Sequence, residues 1–167
     1  MTLSLNLIEL FKVFITRGAE NRSKVIQYLD TLQSNADELV SIWEGVLETV
    51  KLIASGAIAP EPEKYPPNVS LFATLSNMYD TATVALGDKV DNDFRQALAY
   101  GLGSLMMSRH LTREAFDKAK NSLSLAYFST QPSAARLSTM DALEAAVDSL
   151  RKDAAALRVL IINYKAK

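Results

Sequence analysis

The chain of 167 residues offers one histidine and no cysteine, so thiolate ligands, disulfides and cysteine nucleophiles are absent from its chemistry. The histidine, His110, follows Arg109. A lone imidazole becomes a general base when a nucleophile lies within hydrogen-bond reach, and no nucleophile elbow or other recognisable spacing supplies one. His110 is therefore read as a solvent-exposed or locally capping residue at a junction between two helices. Carboxylate-bridged iron bundles need inward-facing Glu-x-x-His pairs, which a single histidine cannot provide. Zinc-protease and P-loop signatures are missing too.

The carboxylates receive the same weighing. Asp88, Asp91 and Asp93 cluster in a stretch read as a turn, but a calcium loop starting at Asp88 needs a glutamate at its twelfth position, where Ala99 stands. They are read instead as helix-start residues that complement exposed amides and the helix dipole. Glu38, Glu44 and Glu48 fall on the polar side of a long helix, together with Asp30, Asp37 and Ser41. Trp43 falls on its apolar side, which predicts a core anchor rather than a ligand platform. Gly101 and Gly103 form a Gly-x-Gly outside any strand-turn-helix context, so they carry no phosphate-loop meaning and mark a kink or a close helix crossing. No cofactor, metal or catalytic set is expected.

The elements that would position any site are helices. Val25, Leu29, Leu32, Ala36, Leu39, Trp43, Val46, Val50 and Ile53 recur at alternating steps of four and three, and only an α-helix puts such positions on one side. The same rhythm returns at Met140, Leu143, Val147, Leu150, Ala154, Leu157, Ile161 and Tyr164. The expectation is an all-α, elongated bundle of about five to six helices in a single domain over residues 1–167. Its two long helices span about 21–55 and 138–165. Tyr28, Val40, Ile42, Leu47 and Ala54 widen the first stripe beyond a coiled-coil seam, which predicts that this helix is the central one. Glu144, Arg151, Arg158 and Lys165 flank the second seam, which predicts a peripheral helix or one that pairs between chains. Ser138 with Asp141 is read as its cap.

The remaining segments complete the plan. Residues 1–17 are read as a short apolar helix, because no Lys or Arg precedes Lys12, as a secretory signal would require, and Ser4, Asn6, Glu9 and Lys12 interrupt the stretch. Gly18 ends it and Asn21 caps the next helix. Pro60, Pro62, Pro66 and Pro67 make residues 57–69 a stiff loop rather than a polyproline ligand. A further helix covers about 70–86, with Gly87 as its stop. Another starts near Asp91, burying Phe94, Leu98, Leu102 and Leu105. A separate one starts at Thr112, with Leu111 packing on Phe116 as a staple, and ends before Pro132.

Composition narrows the function classes. Eighteen basic against nineteen acidic residues leave a net charge of −1, with no excess positive charge to neutralise a phosphate backbone, so nucleic acid is not the expected partner. The absence of cysteine suits a cytoplasmic location. The function expected is a non-enzymatic interaction or scaffold protein that uses helix–helix contacts with a protein partner or with itself. The self-association considered runs through the carboxyl-terminal helix. The candidate partner-binding row is Leu3, Leu7, Leu10 and Phe14, because the first helix carries a second row at Leu5, Ile8, Phe11 and Ile15 that also needs covering. The alternatives are a membrane-engaging bundle using that same helix, and a small-ligand binder or enzyme without a recognisable motif.

Overall fold

The computed structural model describes residues 22–57, Leu86, 90–128 and 134–166. Three long helices account for nearly all of them: α1 (Arg22–Ala54), α2 (Asn92–Phe128) and α3 (Ala134–Lys165). The all-α class stands, and no strand occurs among the described residues. Among the described residues the expected count of five to six helices is not matched: two of the expected elements are one, and those expected at 1–17 and about 70–86 fall outside the described residues but for Leu86. The helices placed near Asp91 and at Thr112 fuse into the 37-residue α2. The first expected long helix agrees with α1 to within a residue at either end, while α3 begins four residues before position 138.

Local chemistry explains two of the ends. Asp91 caps α2: its Oδ1 accepts a 2.7 Å hydrogen bond from the Phe94 amide, satisfying one of the free donors of the first turn. At the end of α1 the Gly56 amide bonds Ile53 O at 3.0 Å and the Ala57 amide bonds Leu52 O at 2.9 Å. That pairing is a Schellman closure, and it needs Gly56 at φ 78°, where a Cβ would be strained.

The core confirms both apolar seams. Along α1, Val25, Leu29, Leu32, Ala36, Leu39, Trp43 and Val50 are buried, and along α3 so are Leu143, Val147, Leu150, Ala154, Leu157 and Ile161. Val46, Met140 and Tyr164 pack partly buried against them, as do Val40 and Ile42 from the widened flank. Each large apolar side chain taken fully out of water contributes roughly 1.5–3 kcal/mol before chain entropy is set against it. Trp43 is wholly buried, and its ring meets Phe116 of α2 edge-on with centroids 5.9 Å apart. At one end of the α2–α3 interface Phe94 stacks on Tyr164 at 4.1 Å.

Which helix is central differs from expectation. α3 packs more extensively against each of its neighbours than they pack against each other, so α3 is the middle element among the described residues and α1 lies to its side. Both neighbours run antiparallel to it. Arg22 near the start of α1 reaches Lys165 O at the end of α3, and Thr112 of α2 reaches Ala146 O. α1 and α2 are therefore parallel, and the end of α1 and the start of α2 lie at opposite ends of the bundle.

The expected break at residues 110–112 is overturned by burial and hydrogen bonding. Thr112 is fully buried, and its hydroxyl donates to Ser108 O of the preceding turn at 2.7 Å, as a mid-helix threonine does, rather than capping a new helix. Leu111 points outward, 47% exposed, while Phe116 is buried, so the two do not form a staple. Ser138 likewise lies inside α3 and is not its cap. Gly101 faces α3, where a Cβ would make an ordinary contact with Leu157 Cδ1 at 3.4 Å.

Candidate functional site

The flanking charges of α3 are engaged within the chain. Lys165 pairs with Asp30, Arg158 with Asp37 at 2.7 Å, Arg151 with Glu44 at 2.8 Å and Glu144 with Lys51 at 3.0 Å. Each step of seven residues forward along α1 meets a step of seven backward along α3, so the four pairs form an antiparallel ladder with its last rung reversed in sign. Side-chain exposure at these rungs makes them weak individually and sensitive to salt. Their value is orientation. A parallel pairing of the same stripes sets Asp30 against Glu144 and Lys51 against Lys165. An antiparallel slip by one heptad sets Glu44 against Glu144 in one direction and Lys51 against Arg151 in the other.

The ladder corrects two expectations. Asp30, Asp37 and Glu44 do not face away from the bundle, because each reaches α3 along one edge. The charges beside the α3 seam pair with α1 of the same chain, and α3 is the middle element rather than the peripheral helix expected. Between the rungs of Glu44 and Lys51 lies a groove of about 350 Å³, where Glu44, Glu48, Glu144 and Asp148 surround Lys51 and Arg151. Lys152 bonds Asp148 and, with Arg151, holds its carboxyl below the usual range, while Glu44 raises Arg151. No group of His, Cys, Asp or Glu among the described residues is placed to hold a metal ion.

A partly buried polar seam joins α2 to α3. Ser108 Oγ donates to Asp153 Oδ2 and stands 3.3 Å from Ser149 Oγ, and the Thr112 hydroxyl also lies 3.2 Å from Ala146 O across the interface. Its two buried members, Ser108 and Thr112, would cost free energy if left unbonded, and both are bonded. The set ties two helices together. Arg109 beside it has its guanidinium lowered by burial and then by Arg113.

The outward face of α2 is different. Tyr100 is 79% exposed, Met107 60% and Leu111 47%, at steps of seven and four that place them on one stripe directly opposite Leu98, Leu102, Leu105 and Phe116. On α3, separately, Val159 and Ile162 are exposed one turn apart. Isolated exposed apolar residues are ordinary; three large ones aligned along one helix are a patch.

The residues singled out from sequence fall as follows. Leu3, Leu7, Leu10 and Phe14 lie outside the described residues, as do the rest of residues 1–17, the loop expected at 57–69 apart from Ala57, the helix expected at about 70–86 apart from the buried Leu86, Asp88 and the caps at Gly18, Asn21 and Gly87. His110 is exposed on α2, where it pairs with Glu114 at 3.4 Å; it is mid-helix and not at a junction. Asp91 caps its helix, as read. Trp43 is a core anchor, as read. The stripe of Tyr100, Met107 and Leu111 was missed, although its spacing is visible in the sequence once residues 92–128 are taken as one helix. No helix among the described residues is long and apolar enough to cross a membrane. Comparison with protein-family models, with curated proteins and with solved structures found no match for this chain.

Proposed function

We propose that the protein is a non-enzymatic helical interaction module that recognises another protein surface through the outward face of α2. The observation that carries this reading is the alignment of Tyr100, Met107 and Leu111 on the side of α2 turned away from the buried Leu98, Leu102 and Leu105. Large side chains that contribute nothing to the interior gain free energy only when a second surface removes them from water. Aromatic and methionine side chains suit that role: Tyr adds a hydroxyl to a large apolar body, and Met adapts its shape to its neighbour. Ser108 and Thr112 tie α2 to α3, so the stripe is presented by an anchored helix.

The test is a photo-cross-linking residue placed at position 107 in the native cell, with position 48 on the polar side of α1 as control. Adducts with a defined protein species at 107 and none at 48 are expected. Equal yields at the two positions, or none at either, would reject the proposal.

A further inference from the structure

The geometry points to a second copy of this chain as the occupant of the α2 face, docked antiparallel about a two-fold axis near residues 105 and 106. This inference rests on the interaction reading above and names its partner. The stripe is bounded by an exposed acid at one end, Asp93, and an exposed base at the other, Lys118, both on the same side of the helix as Tyr100, Met107 and Leu111. Antiparallel pairing about that axis brings Asp93 opposite Lys118 of the second copy, and the symmetry repeats the pair at the other end. It also lays Tyr100 on Leu111 of the second copy and Met107 over Ser104. A parallel pairing opposes Asp93 to Asp93 and Lys118 to Lys118, so the charges at the two ends select the antiparallel arrangement. An isologous contact of this kind is self-complementary and closes at two chains. From Asp93 to Lys118 the face extends about 38 Å, at 1.5 Å per residue, a little under four heptads of a helix pair.

The experiment is light scattering behind size exclusion on the full chain across a concentration series, with helicity checked by circular dichroism for every variant. The apparent mass is expected to rise from one chain to two. Met107→Lys is expected to weaken association roughly tenfold or more, since it puts an unpaired ammonium at the centre of the contact. Asp93→Lys is expected to weaken it, and the double variant Asp93→Lys with Lys118→Asp to restore it, which separates a lost contact from a damaged fold. A single-chain mass at every concentration overturns the inference. A two-chain mass indifferent to Met107→Lys and to the charge swap overturns it equally. If the chain is monomeric yet cross-links at position 107 to a different protein, self-pairing fails while the interaction reading stands.

Discussion

Reversing one rung of the α1–α3 ladder tests the helix orientation on which every later step depends. Arg158 Nη2 lies 2.7 Å from Asp37 Oδ2, with the two side chains 49% and 38% exposed. An exposed pair of this kind contributes about 0.2–1 kcal/mol, already discounted for solvent screening. Arg158→Asp removes that attraction and sets two carboxylates facing each other, which costs about 1 kcal/mol more at some 4 Å in water. The expected loss is therefore about 1–2 kcal/mol at low salt. For a domain of this size each 1 kcal/mol lowers Tm by roughly 2–4 °C, so a drop of about 2–8 °C should appear in a thermal scan followed by circular dichroism. Adding salt to about 1 M, where the Debye length shrinks to about 3 Å, should erase most of the difference. The double variant Asp37→Arg with Arg158→Asp should recover most of the wild-type Tm, because the pair is remade with its signs exchanged. If the single variant melts with the wild type, or the double variant melts no higher than the less stable single, the two side chains do not meet and the antiparallel register is wrong.

Four further outcomes follow from the interior and the helix ends. Trp43→Ala should cost about 3–5 kcal/mol in urea unfolding, because it empties the largest buried side chain and ends the contact with Phe116. Thr112→Val should cost about 1 kcal/mol in the same assay, since it deletes the hydroxyl bonded to Ser108 O while both carbonyls it faces keep helical partners. Gly45→Ala should gain about 1 kcal/mol, as nothing lies within 4 Å of the added methyl in mid-helix, whereas Gly56→Ala should lose about 1 kcal/mol at its positive φ. Burial raises the Tyr28 phenol above its ordinary value of 10.0. A raised folded-state pKa supports stability below the unfolded value and loses it above, so stability should fall as pH rises past about 10, and Tyr28→Phe should flatten that fall in alkaline unfolding followed by tyrosinate absorbance.

The two seams were legible because burial on one side of a helix writes its period into the residues directly: from Val25 to Val50 and from Leu143 to Ile161 the expected positions are buried, Val46 alone only partly so. The break at Thr112 was misread because a threonine followed by Glu114, with Leu111 before and Phe116 after, has the local look of a helix start. What decides between cap and interior is whether the threonine is enclosed by a neighbour, and that depends on α3, more than thirty residues away in sequence. The ladder was half legible. Both charged stripes were seen, each on its own helix, and their common step of seven with opposite signs was the signal that could have joined them. Pairing them needs the relative direction of the two helices, which no single-helix pattern contains. The same dependence inverted the roles of α1 and α3, since a wide apolar stripe reports how much of a helix is covered but not by how many neighbours.

The absence of cysteine makes one measurement decisive for the outward α2 face: thiol-labelling rates of Met107→Cys and Leu105→Cys in the otherwise cysteine-free chain, in dilute buffer and then in native-cell extract. Position 107 is expected to label at the rate of a free thiol in buffer dilute enough to keep the chain single, and to be protected where its face is occupied, in extract or at higher chain concentration, while position 105, fully buried, labels only on unfolding. Equal labelling of the two positions, or a thiol at 107 that remains as reactive in extract and at higher chain concentration as in dilute buffer, would contradict this expectation.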